Sequence, residues 1–180
     1  MKKSIIGYVG MSHLGLCYSA VAAEKNNSVI AFDFEKNIID KIVNDENYIY
    51  EHGLKKIIKK NINKKLKFTN NINDLKKCNL IFISEDIPTD KNGNSSLKSI
   101  NIIINKIKKL INKSTTIVIL SQVQPGFTRS IHWVKQNLYY QVETLIFGKV
   151  INRASKPKRF MVVKNHLNTK INPIYFHFLK

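Results

Sequence analysis

The sequence predicts an α/β fold built on a doubly wound parallel sheet, and three observations predict it. The first is Ser4-Ile-Ile-Gly-Tyr-Val-Gly10-Met-Ser-His-Leu-Gly15, an apolar run that enters a glycine turn and continues at helical spacing. The second is Val29-Ile-Ala-Phe-Asp33, another apolar run, ending in an acid. The third is the alternation along the chain of short runs rich in Ile, Val and Phe with segments whose apolar residues recur every three or four positions.

Taken in order, residues 4–9, 28–32, 66–69, 80–84, 115–121 and 159–163 read as strands, several of them apolar on both faces as strands of a covered parallel sheet must be. Residues 13–25, 36–44, 53–62, 96–110 and 128–135 read as helices; Leu97, Ile100, Ile104, Ile107 and Ile111 mark one such apolar stripe. The expectation is about six strands with helices on both faces, a Rossmann-type sheet. Ligands of such a sheet bind at the carboxyl ends of its strands, so Gly10, Asp33, Ser84 and Ser121 are expected to line one crevice. The polar loop 88–96 and the segment Gln122-Val-Gln-Pro-Gly-Phe-Thr128 follow two of those strand ends.

The first two segments together have the form of the phosphate-and-ribose half of a dinucleotide site. Gly10 lets the chain turn sharply out of the strand, and Gly15 lets the next helix pack closely on the sheet. The N–H groups at the start of that helix, around Ser12, His13 and Leu14, then face a pyrophosphate. Asp33 follows Gly10 by 23 residues, close to the roughly 20-residue interval that places an acid on the adenosine ribose and favours NAD over NADP. Ser12 stands where the G-x-G-x-x-G pattern has its middle glycine, and its hydroxyl is small enough to meet a phosphate oxygen. His13 reads as a helix-start residue rather than a general base.

Composition narrows the remaining classes. With 180 residues, 43% of them hydrophobic, the chain can bury one sizeable core. No apolar run is long enough to span a bilayer and Met1-Lys2-Lys3 leads straight into a strand, so a cytoplasmic protein without membrane contact is expected. Cys17 and Cys78 form neither a metal-ligand pair nor a disulfide framework and read as reduced, structural thiols; no metal site is expected. The formal charge of +18 would suit nucleic acid. Lys outnumbers Arg 27 to 3, however, and the lysines are spread over several helices, which reads as a solvated surface and not as a nucleic-acid face.

Read in sequence, these segments resemble the amino-terminal domain of the UDP-glucose/GDP-mannose dehydrogenase family. Beside the glycine turn and Asp33, Tyr48-Ile-Tyr-Glu-His-Gly-Leu54 resembles the family's P-I-Y-E-P-G-L, and Asp86-Ile-Pro-Thr-Asp90 with Gly93 resembles its V-P-T-P region. Ser121-Gln-Val-Gln-Pro-Gly126 is similar to S-T-V-P-x-G, and Val142-Glu-Thr-Leu-Ile-Phe-Gly148 with Pro157-Lys-Arg159 is similar to P-E-F-L-R-E-G and P-x-R. The resemblance implies oxidation of a sugar C6 hydroxymethyl group to a carboxylate in two NAD-dependent steps, with a cysteine thiohemiacetal and thioester between them. It assigns Glu143 to acid–base work with water, Gln122 to the site of a threonine near the reacting oxygen, and Ile87 and Ser121 to cofactor contact. Glu143, Thr144 and Leu145 are the implied cradle of the nucleotide sugar, a UDP sugar by default. Glu51 either touches the rim of this site or fixes its loop.

The expected organisation is an NAD-binding domain over residues 1–165 and, over 166–180, the start of a linker or helix leading to a central and carboxyl-terminal region. The family's catalytic lysine, asparagine and nucleophilic cysteine lie in that region, and neither Cys17 nor Cys78 matches the nucleophile. Ile174, Tyr175, Phe178 and Leu179 are expected to lack partners within the chain and to favour association. The functional expectation is therefore the NAD-binding portion of a nucleotide-sugar 6-dehydrogenase, inactive alone, that self-associates or joins a separately encoded half. The alternative is a non-catalytic NAD-binding or docking module.

Overall fold

A computed structural model describes residues 4–46, 48–143, 146–164 and 170–180. The chain runs β1 (Ile5–Val9), α1 (His13–Glu24), β2 (Ser28–Phe32), α2 (Lys36–Val43), α3 (Leu54–Asn61), β3 (Leu66–Thr69), a 3₁₀ turn (Ile72–Lys77), β4 (Leu80–Ile83), α4 (Lys98–Leu110) and β5 (Thr116–Ile119). It continues through α5 (Phe127–Ser130), a 3₁₀ turn (Lys135–Asn137), β6 (Leu138–Val142), α6 (Val150–Ser155), β7 (Met161–Lys164) and α7 (Pro173–Phe178). The strands form one seven-stranded sheet in the order β3-β2-β1-β4-β5-β6-β7. β1 to β6 are parallel, and β7 closes the edge antiparallel to β6 with Tyr140 opposite Val163. The order reverses between β1 and β4, so a crevice opens above their carboxyl ends.

Alternation along the strands divides the core into two layers. Ile6, Tyr8, Leu80, Phe82 and Val118 face α1, α2, α3, α6 and α7, whereas Val9, Ile81, Ile83, Ile117 and Ile119 face α4 and Trp133. α1 approaches the sheet on small residues, Gly15, Ser19, Ala20, Ala22 and Ala23, all buried. α4 meets the other face through Ile100, Ile103, Ile104 and Ile107. Cys17 and Cys78 are both buried and free, and burial pushes each thiol up to about 12, so neither is a reactive thiolate near neutral pH. Among the described residues no helix is long and apolar enough to cross a membrane.

Three expectations change. β6 adds a strand, so the sheet has seven strands rather than about six, and the strand expected near residues 159–163 runs against the others. The helix expected over 128–135 is a single turn ending at Ser130, because Ile131 and Trp133 are both buried two residues apart with His132 exposed between them, an extended spacing. The Trp133 indole N–H donates to the Thr115 carbonyl at 3.1 Å and holds that geometry. Finally, Tyr175 is fully buried, and Ile174, Phe178 and Leu179 pack on the same core as partly buried neighbours, so they do have partners within the chain. The Tyr175 ring lies 5.0 Å from that of Tyr139 and 6.1 Å from that of Phe82. Asn172 caps α7 and also donates its N–H to the Tyr139 hydroxyl at 2.9 Å.

Candidate functional site

The turn between β1 and α1 is forced by close backbone approach. Gly10 has φ +91°, and a Cβ there would sit 2.9 Å from the Glu85 nitrogen. Gly15 is tighter, since a Cβ would fall 1.9 Å from the Gly10 carbonyl oxygen and 2.5 Å from Ser84 Oγ. Ser84, at the end of β4, lies with its hydroxyl 2.9 Å from the Gly10 carbonyl and 3.0 Å from that of Val9, pinning the turn to the sheet.

Ser12 caps α1. Its hydroxyl donates to the Ser84 carbonyl at 2.8 Å and accepts from Gly15 N–H at 3.5 Å. The hydroxyl proton is thus committed to the turn, and the groups left to face a phosphate are backbone: the N–H groups of Ser12, His13 and Leu14 have no acceptor among the described residues. Asp33, 8% exposed at the tip of β2, accepts from Met11 N–H at 2.7 Å through Oδ2 and from Glu35 N–H at 2.9 Å through Oδ1. The acid expected on a ribose is therefore bonded to the glycine turn itself, and each oxygen keeps a second lone pair. A cradle of free N–H groups beside an oriented carboxylate fits an NAD molecule.

His13 and Glu51 are brought together, Nε2 to Oε2 at 3.0 Å. Glu51 also accepts from Gly148 N–H and Val150 N–H, both at 2.9 Å, so this 5% exposed carboxylate fixes the loop before α6. Burial works against its charge, but the bonds from Gly148, His13 and Val150 together hold its carboxyl below the usual carboxylate range. The Phe147 ring stands edge-on to His13 at 4.8 Å and is 74% exposed.

Glu143, at the end of β6, lines a cavity of about 470 Å³ with Tyr18, Arg153, Lys158, Arg159 and Phe160. Tyr18 of α1 donates its phenol to one Glu143 oxygen and the Gln141 amide donates to the other. Gln141 is 2% exposed and in turn accepts from the Tyr175 hydroxyl. Burial raises the Glu143 carboxyl above its usual range, although both hydrogen bonds pull the other way. Tyr18, Gln141 and Tyr175 had no signal in the sequence as partners of this acid. Glu85, which lies against Gly10 in the crevice, did leave a signal: a charge placed directly after an apolar strand.

The other expected contacts are dispersed. Ser121 is 2% exposed, with its hydroxyl 3.4 Å from the Ile83 carbonyl at the end of β4. Ile87 packs partly buried on the α4 layer, and Gln122 is exposed at the end of β5, outside the cavity that holds Glu143. Leu14 packs partly buried on the α1 layer, leaving only its backbone for a ligand. Thr144 and Leu145 lie outside the described residues.

Comparison with known proteins agrees with this geometry. The sequence model described as "UDP-glucose/GDP-mannose dehydrogenase family, NAD binding domain" matches residues 4–169. UDP-glucose 6-dehydrogenase of Rickettsia felis is 31% identical over 169 residues, 89% of this chain and 38% of that protein. An uncharacterized protein of Methanocaldococcus jannaschii is 29% identical over 92% of this chain and 19% of its own length. The structure of a UDP-glucose dehydrogenase from Pyrobaculum islandicum superposes with a TM-score of 0.80 at 17% identity, over 91% of this chain and 41% of that one, a likeness of fold. The chain thus spans between 19% and 41% of the length of these relatives. It belongs to the UDP-glucose/GDP-mannose dehydrogenase family, in which it corresponds to the NAD-binding domain.

Proposed function

We propose that this chain is the cofactor-binding portion of a nucleotide-sugar 6-dehydrogenase of the UDP-glucose to UDP-glucuronate type, and that the 180 residues alone bind NAD without turning over. The observation that carries this is the β1–α1 turn, whose free N–H groups stand beside Asp33 with both carboxylate oxygens already oriented. Asp33 takes the adenosine ribose hydroxyls and the N–H groups of Ser12 to Leu14 take the pyrophosphate. When bound, NAD supplies the hydride acceptor for oxidation of the sugar's C6 alcohol.

Glu143 is the proton carrier of this reading. Burial favours its neutral form, so the carboxyl can hold a proton closer to neutrality than an ordinary glutamate, and Tyr18 and Gln141 fix where the two oxygens point. Lys158 and Arg159 line the same cavity and supply positive charge for a nucleotide diphosphate. Cys17 and Cys78 are excluded as the thioester nucleophile by burial, so that step belongs to residues of a separate region or partner half. The complete enzyme would work in the cytoplasm, supplying uronic acids for polysaccharide.

Calorimetric titration of the purified chain with NAD, then with UDP-glucose and NAD together while absorbance follows NADH, tests the reading. Heat of NAD binding with no NADH is the expected result. Absence of NAD binding refutes the cofactor assignment, and NADH formation refutes the dependence on a second half.

A further inference from the structure

The crevice above β1 and β4 contains an acid that the dinucleotide fingerprint does not include. Glu85 follows β4 directly, and its Oε2 lies 3.0 Å from where a Cβ on Gly10 would stand, so the carboxyl group rests on the phosphate turn. Ser99 of α4 holds its other oxygen, donating to Oε1 at 2.8 Å, which fixes the side chain in the crevice rather than in solvent. The charges that act on it most strongly are carboxylates: Asp33 and Glu35 from the end of β2 and the start of α2, and Asp86 from its own loop. The Tyr48 phenol in turn feels Asp33, Asp86 and Glu85. The ammonium of Lys106 on α4 is engaged over the Phe34 ring, 4.7 Å from its centroid.

A dinucleotide must bring its pyrophosphate to this turn. An ionised, half-buried Glu85 there repels it, whereas a neutral Glu85 leaves a hydrogen-bond donor in the crevice. Both Asp33 oxygens already accept backbone N–H bonds and face the ribose, whereas Glu85 has one oxygen bonded to Ser99 and the other lying on the phosphate turn. We propose that NAD enters this site together with a proton carried by Glu85, which makes cofactor affinity depend on pH. The proposal rests on the assignment of NAD to the β1–α1 turn. Burial, together with the neighbouring carboxylates, raises the Glu85 carboxyl above its usual range, in line with a group that is readily neutralised.

Obligatory uptake of one proton makes NAD affinity fall by up to about tenfold per pH unit once the free site is ionised. The experiment is calorimetric titration of the chain with NAD from about pH 5.5 to about pH 8.5, in buffers of different ionisation enthalpy, which counts protons taken up on binding. Glu85→Gln, which keeps the bond from Ser99, is titrated alongside. Expected are proton uptake and a declining affinity in the natural chain, and a flatter profile with tighter binding at the alkaline end in the variant. No uptake and a flat profile in the natural chain overturn the proposal. So does weaker binding by Glu85→Gln at all pH values, which makes Glu85 a direct ribose contact. An undiminished slope in Glu85→Gln assigns the proton to a group other than Glu85 and also overturns it. If the variant fails to fold, proton counting on the natural chain still decides, because an affinity that does not change with pH cannot arise from obligatory uptake. Failure of NAD to bind at any pH is a different result, the loss of the cofactor assignment itself.

Discussion

Gly15→Ala is the sharpest test of how the fold builds its phosphate turn. A Cβ at this position would fall 1.9 Å from the Gly10 carbonyl oxygen, whereas ordinary contact begins at 3.4 Å. Backbone must therefore move by about 1.5 Å, and the obstacle is not a flexible side-chain end. Overpacking against a well-formed core costs about 1–3 kcal/mol, and a backbone obstacle puts this site at the upper end. The Cβ also meets Ser84 Oγ at 2.5 Å and disturbs its bonds to Val9 and Gly10, worth about 1 kcal/mol. Alanine's better helix propensity returns about 1 kcal/mol, leaving a net loss of about 3 kcal/mol. That is a large share of the ~5–15 kcal/mol that holds a domain folded. Urea unfolding followed by circular dichroism measures it, with Gly53→Ala as the control: nothing lies within 4 Å of a Cβ there, and only its φ of +82° is strained, at about 1 kcal/mol. A Gly15→Ala loss no larger than that of Gly53→Ala refutes the steric reasoning.

Asp33→Ala should weaken NAD binding by about 1–3 kcal/mol through lost charge-assisted hydrogen bonds, and an unchanged dissociation constant by calorimetry sinks the ribose contact. Tyr175→Ala empties the space between Phe82 and Tyr139 and strips Gln141 of a donor, so about 3–5 kcal/mol of stability should be lost in urea melts; a change under about 1 kcal/mol would show that α7 is only loosely attached. Burial raises the Glu143 carboxyl above its unfolded value of about 4.3, so the stability it contributes is full below that pH and is lost as pH rises through the folded value. Glu143→Gln should flatten that decline, and parallel stability profiles for the two chains between about pH 4 and about pH 8 contradict the burial argument.

Where local chemistry sets the structure, the sequence was legible. The apolar run into Gly10, the small residues of α1, Asp33 at the tip of β2 and the isoleucine stripe of α4 each carry a period or a spacing that only one arrangement satisfies. β6 was hidden because it contains Gln141, a polar residue whose burial makes sense only once the Tyr175 hydroxyl, 34 positions further along the chain, reaches it. The direction of β7 depends on which neighbour it finds, information that a period of two residues does not hold. Ser12 and Ser121 were placed on the correct turns, but where a hydroxyl points is decided by carbonyls more than 30 residues away, Ser84 for the one and Ile83 for the other. The partial charge network of Glu143 was equally unreadable, since Tyr18 lies 125 residues from it in sequence.

The seating of Tyr175 has a consequence for where this protein can be divided. The family match stops at residue 169, yet the aromatic well formed by Phe82 and Tyr139 is stoppered by a side chain six positions beyond it. A fragment cut at the family boundary would keep every residue of the glycine turn and still leave an unplugged, greasy hole on the α1 face of the sheet. Such a fragment would be prone to clump, and a failure to bind NAD in that state would say nothing about the turn. For swapping or fusing this unit, a cut that keeps the well closed must therefore retain α7.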